Sequence, residues 1–127
     1  MTSLDTNVVL RFLLDDVPDQ TVKAAKIISK EKVYVTDVVT VEIVYVLEKV
    51  IELPRQDITK LVTDFLGFGN VVHNPYFLLT AINLYKHHQS LSIVDCYATA
   101  EAEAYNNKLI TFDKRLVNQG GNHVHGL

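Results

Sequence analysis

The fold is decided at residues 2–14, which read TSLDTNVVLRFLL. The first four of these residues predict a short strand that ends at Asp5. A helix is predicted to follow at once, from Asn7 to Leu14, because its leucines recur at helical spacing. A strand that passes directly into a helix is typical of an alternating α/β chain, and here it leaves a carboxylate at the end of the first strand.

The alternation continues along the rest of the chain. Helices are predicted at residues 20–29, 37–51, 55–66, 76–88 and 92–105, and a short helix or turn around Leu116. Strands are predicted at residues 33–35, 71–72 and 108–112, with an added edge strand at Val124. Strands separated by helices imply parallel pairing. We therefore expect a three-layer α/β/α fold, with a central, mainly parallel sheet flanked by helices.

The starts of two helices have recognisable capping residues. Asp37 or Thr40 is expected to cap the helix that runs to about Ile51. Ser92 and Asp95 have the spacing of a capping box, in which each residue's side chain accepts a hydrogen bond from the other's backbone. Both motifs predict where a helix begins, and hence where the side chains of its first turn lie.

Bulk properties indicate one globular domain over residues 1–127. The chain has no repeat or linker, and its hydrophobic content of 48% is ordinary for a globular protein. Its apolar runs are too short to cross a bilayer, and no signal peptide is expected. The single cysteine, Cys96, excludes an intramolecular disulfide and suits the cytoplasm. A net charge of -3 argues against a general nucleic-acid coat, but leaves room for an acidic site that binds nucleic acid through metal and local cations.

Four acidic residues carry most of the chemical information. Asp5, Glu42, Asp95 and Asp113 are all predicted at one edge of the sheet, beyond the carboxyl ends of the strands, where α/β proteins bind ligands. Carboxylates that meet repel one another unless a cation lies among them. Mg²⁺ and Mn²⁺ prefer such oxygen ligands and leave positions open for water and phosphate. The pattern therefore predicts a metal-dependent phosphodiesterase.

Each acid also has a purely structural explanation. Asp5 and Asp113 could cap the helices that follow them, and Asp95 could serve only its capping box. Glu42 could simply favour the positive end of a helix dipole. The shared location at one sheet edge is what favours a metal site over four separate structural roles.

Four segments, in this order, resemble the PIN-domain family: LDTNVVL at 4–10, TVE at 40–42, DCYA at 95–98 with alanines at 100 and 102, and TFD at 111–113. The resemblance covers essentially the whole chain and is greatest to the small VapC-type toxins of type II toxin–antitoxin systems. It implies an endoribonuclease, a hydrolase of phosphodiester bonds, that uses one or two Mg²⁺ or Mn²⁺ ions.

The family's quartet of catalytic acids maps onto Asp5, Glu42, Asp95 and Asp113. We expect Asp5 and Asp95 to be direct metal ligands, and Asp113 to bind directly or through water. Glu42 would ligate a second ion or orient the attacking water.

The resemblance also implies supporting residues around these ligands. Thr111 matches the family's hydroxyl beside the last acid, where it would hold a water or a neighbouring carboxylate. Thr6 or Asn7 would orient Asp5, as outer partners of metal ligands usually do.

Three cations are candidates for contacts with RNA phosphates: Arg11, Lys114 and Arg115. Many relatives carry a further acid just after the last one of the quartet. Here Lys114 and Arg115 occupy that stretch, which argues against a second, more weakly held metal.

The resemblance further implies a homodimer and a cognate antitoxin, whose amphipathic segment would lie across helices near the site that carry Phe12, Tyr45 and Val46. A housekeeping RNA-processing nuclease is the nearest alternative. A receiver-like phosphoacceptor domain is a different class, although the first strand offers Asp5 alone, Asp57 falls at a helix start and Lys108 opens its strand. An inactive metal-binding module is the third alternative.

Overall fold

The protein alternates short strands and helices along its whole length. The structure, a computed structural model, describes residues 1–127. It contains seven helices and five strands, and the chain divides into two compact units. We call Met1–Asn74 the N-terminal unit and Pro75–Leu127 the C-terminal unit.

The N-terminal unit is built on a three-stranded parallel sheet. Its elements are β1 (Thr2–Ser3), α1 (Thr6–Leu14), α2 (Pro18–Lys30), β2 (Val33–Tyr34), α3 (Asp37–Lys49), α4 (Arg55–Leu66) and β3 (Val71–Val72). The strand order is β1-β2-β3, with Thr2 paired to Val33 and Val33 paired to Val71. Two helices connect each pair of strands, which is the crossover that parallel pairing requires.

The core of this unit lies where the central strand meets the helices. Val33 on β2 and Val35 directly after it are completely buried, as expected of β-branched residues in a central strand region with neighbours on both sides. Leu47 on α3 and Ile58 on α4 are also completely buried. Helix α1 packs against both α2 and α3, and α3 packs against α4.

The C-terminal unit combines a helix pair with a two-stranded parallel sheet. Its elements are α5 (Leu78–His87), α6 (Ile93–Ala104), β4 (Leu109–Thr111), α7 (Lys114–Gln119) and β5 (Val124–Gly126). Helices α5 and α6 pack together around Phe77, Ala81 and Ala100, and the Phe77 and Tyr97 rings meet edge to face at 5.4 Å. Helix α7 connects β4 to β5, which pair from Leu109–Val124 to Thr111–Gly126.

The predicted fold class is confirmed. All strand pairs are parallel and alternate with helices, consistent with a three-layer α/β/α fold. The strands at 33–34, 71–72 and 109–111 lie where the sequence predicts them, and α4 has the predicted bounds. None of the seven helices combines the length and the apolar character that crossing a bilayer requires.

Three helix starts differ from the prediction. Helix α2 begins at Pro18, two residues earlier than expected, because proline is well suited to the first position of a helix. Helix α3 is capped by Thr36, whose Oγ1 accepts a hydrogen bond from Val39 N at 3.1 Å, and not by Asp37 or Thr40. Helix α5 begins at Leu78, two residues later than expected, because Phe77 has a non-helical backbone (φ -145°, ψ -1°). At the start of α5 the apolar residues extend beyond the true first turn of the helix.

Candidate active site

Asp5 lies in the N-terminal unit between β1 and α1. It occupies the N-cap position of α1, with an extended backbone (φ -79°, ψ 158°), and its side chain is exposed. The side chain makes no capping hydrogen bond to α1, so the purely structural explanation for this residue is not realised. The carboxylate is therefore left at the carboxyl end of β1 without a structural task in the helix.

Glu42 is the second acid of the N-terminal unit. It lies in the second turn of α3 with an exposed side chain, and the first-turn acid of that helix is Asp37 instead. Because a helix dipole acts mainly on the first turn, it accounts poorly for a glutamate at this position. Asp37 has a structural partner, since Asn74 Nδ2 donates a 2.7 Å hydrogen bond to Asp37 Oδ2. Helix α3 packs on α1, so Glu42 and Asp5 belong to neighbouring helices.

Asp95 lies in the first turn of α6 in the C-terminal unit, and the predicted capping box is confirmed. Asp95 N donates to Ser92 Oγ at 3.0 Å, and Ser92 N donates to Asp95 Oδ2 at 3.2 Å. The half-buried carboxylate thus uses one oxygen for the helix, while Oδ1 takes no part in the capping box.

Asp113 follows β4 and caps α7. Its Oδ1 accepts hydrogen bonds from Arg115 N at 2.9 Å and Leu116 N at 3.4 Å, whereas Oδ2 takes no part in the cap. Thr111 Oγ1 accepts from Asp113 N at 2.9 Å. The Thr111 hydroxyl therefore holds the backbone of Asp113, the acid beside which the PIN-domain resemblance places a hydroxyl residue.

The other candidate residues have different surroundings. Thr6 is buried and Asn7 is exposed, and neither side chain forms a hydrogen bond with Asp5. Lys114 and Arg115 are exposed in the first turn of α7, directly after Asp113.

Arg11 is engaged within the N-terminal unit. Its Nε donates to Gln20 Oε1 at 2.8 Å and its Nη1 contacts Asp16 Oδ2 at 3.2 Å. Gln20 and Lys23, which the sequence analysis did not select, line a pocket with Arg11. No local motif marks them, because they approach α1 only through the packing of α2.

The donor set suits a hard divalent cation. Each unit holds two of the four candidate carboxylates, and within neither unit do three or more His, Cys, Asp or Glu side chains group as a metal site. Mg²⁺ is commonly held by one or two carboxylates, with water and phosphate completing its shell. Each of the four acids keeps at least one oxygen that serves no helix cap, so their chemistry fits such an ion.

Comparison with known families gives one match. The family model of the PIN domain matches residues 3–122, a span that includes all four acids and parts of both units. The chain therefore belongs to the PIN domain family, whose members are typically nucleases and generally use divalent metal ions. No curated protein matches the chain.

Proposed function

We propose that this protein is a metal-dependent endoribonuclease whose active site combines Asp5, Glu42, Asp95 and Asp113 within one domain over residues 1–127. The observation that carries the proposal is the PIN-domain match across 3–122, which spans these four acids. The exposed, uncapped carboxylate of Asp5 supports it, because a carboxylate without a structural role is better explained by a ligand.

The chain's own residues divide the work by position. Asp5 and Asp95 would hold the cation, Asp113 would hold it directly or through water, and Glu42 would bind a second ion or orient the attacking water. The helix caps fix one oxygen of Asp95 and one of Asp113, so each cap sets the direction of the remaining oxygen. When bound, Mg²⁺ or Mn²⁺ would offset the charge that develops on the phosphate and make a water more acidic.

The proposed reaction is hydrolysis of a backbone phosphodiester. Water adds to phosphorus in line with the 3′ oxygen, the P–O3′ bond breaks, and that oxygen leaves as a 3′-hydroxyl after taking a proton. The products would carry a 5′-phosphate and a 3′-hydroxyl. Glu42 is free to orient the water, because its side chain makes no hydrogen bond or ion pair within the protein.

The finer biological role that we propose is the toxin of a toxin–antitoxin pair, acting in the cytoplasm as a homodimer. An antitoxin would need an apolar surface, and the N-terminal unit offers a groove of about 750 Å³ whose lining includes Phe12, Val22, Ile28 and Phe68. Growth arrest on expression, relieved by a co-encoded small protein, would support this role. Harmless expression with intact nuclease activity would favour a housekeeping RNA-processing enzyme.

No observation favours a receiver-like domain. Asp57 is a first-turn residue of α4 and Lys108 precedes β4, so neither lies at the carboxyl end of a strand.

The direct test is cleavage of labelled single-stranded RNA by the purified protein. We expect cleavage in Mg²⁺, complete loss with excess chelator, and recovery when Mn²⁺ is added, while circular dichroism stays unchanged throughout. End analysis should find 5′-phosphates. Cleavage that persists in chelator would refute the metal site. Binding of Mn²⁺ without cleavage of any RNA would point to an inactive metal-binding module.

A further inference from the structure

A second pocket of the N-terminal unit lies between α1 and α2, and the nuclease chemistry described above does not use it. Its volume is about 280 Å³, and its polar lining consists of Asn7, Arg11, Gln20 and Lys23. We call it the α1–α2 pocket. It combines two cationic side chains with two amides, and contains no acidic residue.

The pocket lies along α1, the helix that begins directly after the proposed metal ligand Asp5. Asn7 is two residues after Asp5 on the same helix and Arg11 is four residues further on, so they share one helix face. At 1.5 Å per residue the two positions lie about 3 Å and about 9 Å along the helix axis from Asp5. Along the axis of α1 the pocket is therefore close to Asp5, but Asn7 lies about 200° around the helix from it, so an RNA strand bound at both places would curve around the start of α1.

Arg11 is held in position and still has donors to offer. Gln20 accepts from its Nε at 2.8 Å and Asp16 accepts from its Nη1 at 3.2 Å, while Nη2 makes no hydrogen bond within the protein. The Thr21 hydroxyl also donates to the Arg11 carbonyl oxygen at 2.9 Å, which ties α2 to α1. A guanidinium fixed in this way loses little conformational entropy when an anion binds.

Lys23 supplies the second positive charge. Its side chain is exposed and forms no ion pair, although it lines the same pocket as Arg11. The charge of Arg11 is partly offset by its ion pair with Asp16, so Lys23 is the cation of this pocket whose charge no acidic side chain offsets. In a chain of net charge -3, whose proposed active site is acidic, a local unpaired lysine beside an oriented guanidinium offers an RNA phosphate both charge and hydrogen-bond donors.

The remaining lining is apolar and comes from Val8, Ala24 and Ile27. Ile27 is 39% exposed, so its side chain is available to a ligand. An apolar wall beside two cations matches the two parts of a nucleotide, a flat base or ribose and a charged phosphate.

We propose that the α1–α2 pocket binds the nucleotide of the RNA strand next to the one that is cleaved. Lys23 and Arg11 Nη2 contact its backbone phosphate, and Ile27 and Val8 contact its ribose or base. The inference rests on the proposed function and deepens it, because it names the residues that position the substrate at Asp5. Free phosphate shares part of this chemistry, and the experiment separates the two ligands.

The test measures binding of a fluorescent single-stranded oligoribonucleotide in chelator, where no cleavage is expected, at several salt concentrations. We expect Lys23→Ala to weaken binding about tenfold and to reduce the slope of log K against log salt by about 0.7, the loss of one phosphate contact. The matched control is Lys26→Ala. Lys26 is exposed on the same helix and loses the same charge, but it lines the separate groove that contains Phe12. Its binding should stay within about twofold of wild type.

Each outcome decides the proposal. Equal weakening in both variants would indicate a general charge effect and overturn it. Unchanged binding by Lys23→Ala, with metal-dependent cleavage intact in the wild type, would overturn the pocket but leave the proposed function standing. A wild type that neither binds nor cleaves RNA would overturn both. If inorganic phosphate bound in a Lys23-dependent manner while the oligonucleotide did not, the pocket would be a site for free phosphate and the proposal would fall.

Discussion

The two units of this chain hold their acidic residues in opposite ways. In the N-terminal unit, Asp5 makes no capping bond and Glu42 lies beyond the first turn of its helix. In the C-terminal unit, Asp95 completes a capping box and Asp113 caps α7 with one oxygen. Helix caps therefore leave the two proposed ligands of the N-terminal unit unconstrained, and fix the two proposed ligands of the C-terminal unit.

This difference separates chemistry from stability. A helix cap contributes about 1 kcal/mol to the free energy of unfolding. Replacement of Asp95 or Asp113 in the C-terminal unit should therefore lower both stability and activity. Replacement of Asp5 or Glu42 in the N-terminal unit should lower activity alone, because neither side chain forms a hydrogen bond within the fold. A charged residue that has no structural role is a candidate functional residue, because natural proteins depart from the local preferences of their fold mainly at functional sites.

The largest expected effect is that of Asp5→Asn on catalysis. We expect a loss of about 100-fold or more in Mg²⁺-dependent RNA cleavage, because a neutral amide binds a hard cation far more weakly than a carboxylate does. The free energy of unfolding should stay within about 0.5 kcal/mol of wild type. Cleavage rates and denaturant melts measure the two quantities.

The control for this variant is Asp15→Asn at the other end of α1. Asp15 has φ 51°, a left-handed conformation that Asn also adopts readily, and the charge change is the same. Its cleavage rate should match wild type. A wild-type rate for Asp5→Asn would show that the N-terminal unit does not supply the ligand that we assign to it.

The second effect concerns the stability of the C-terminal unit. A Cβ atom at Gly120 would meet Val124 Cγ2 and lie 2.7 Å from the Leu116 carbonyl oxygen. We therefore expect Gly120→Ala to lower the free energy of unfolding by about 1–3 kcal/mol, because α7 and β5 would have to move apart.

The matched substitution in the N-terminal unit is Gly69→Ala. A Cβ there would have no atom within 4 Å, and the melt should be nearly unchanged. Equal stability of the Gly120→Ala and Gly69→Ala variants would mean that the close approach of α7 and β5 does not limit which residues the C-terminal unit tolerates at position 120.

The smallest effect isolates the cap of α7 from the proposed ligand. Asp113→Ala should lower the free energy of unfolding by about 1 kcal/mol, whereas Asp113→Ser should lower it by a few tenths, because serine also caps helices. Both variants lack the carboxylate, so both should lose cleavage. If Asp113→Ser kept full activity, Asp113 would be a structural cap only, and the contrast between the two units would be wrong for this residue.

The sequence predicts much of the fold because many of its decisions are local. The capping box joins Ser92 to Asp95 three residues apart. Helix α4 begins directly after Pro54 and ends directly before Gly67, two residue types that commonly mark helix boundaries. The start of α3 is less certain from sequence, since Thr36, Asp37 and Thr40 are all suitable capping residues. In the structure Thr36 has the extended backbone of a capping residue, and its hydroxyl accepts the hydrogen bond from Val39 N.

What the sequence determined by itself is therefore the alternation of strands and helices and the position of each acid just after a strand or near the start of a helix. Those features depend on residues within about one helical turn of each other. The tertiary structure decided which side chains have hydrogen-bond partners. Gln20 and Asp16 bind Arg11, whereas Asp5 makes no capping bond. The tertiary structure also forms the open pocket between α1 and α2. These features depend on how the helices pack. Arg11 and Gln20 are nine residues apart, and no local sequence pattern predicts a contact over that separation.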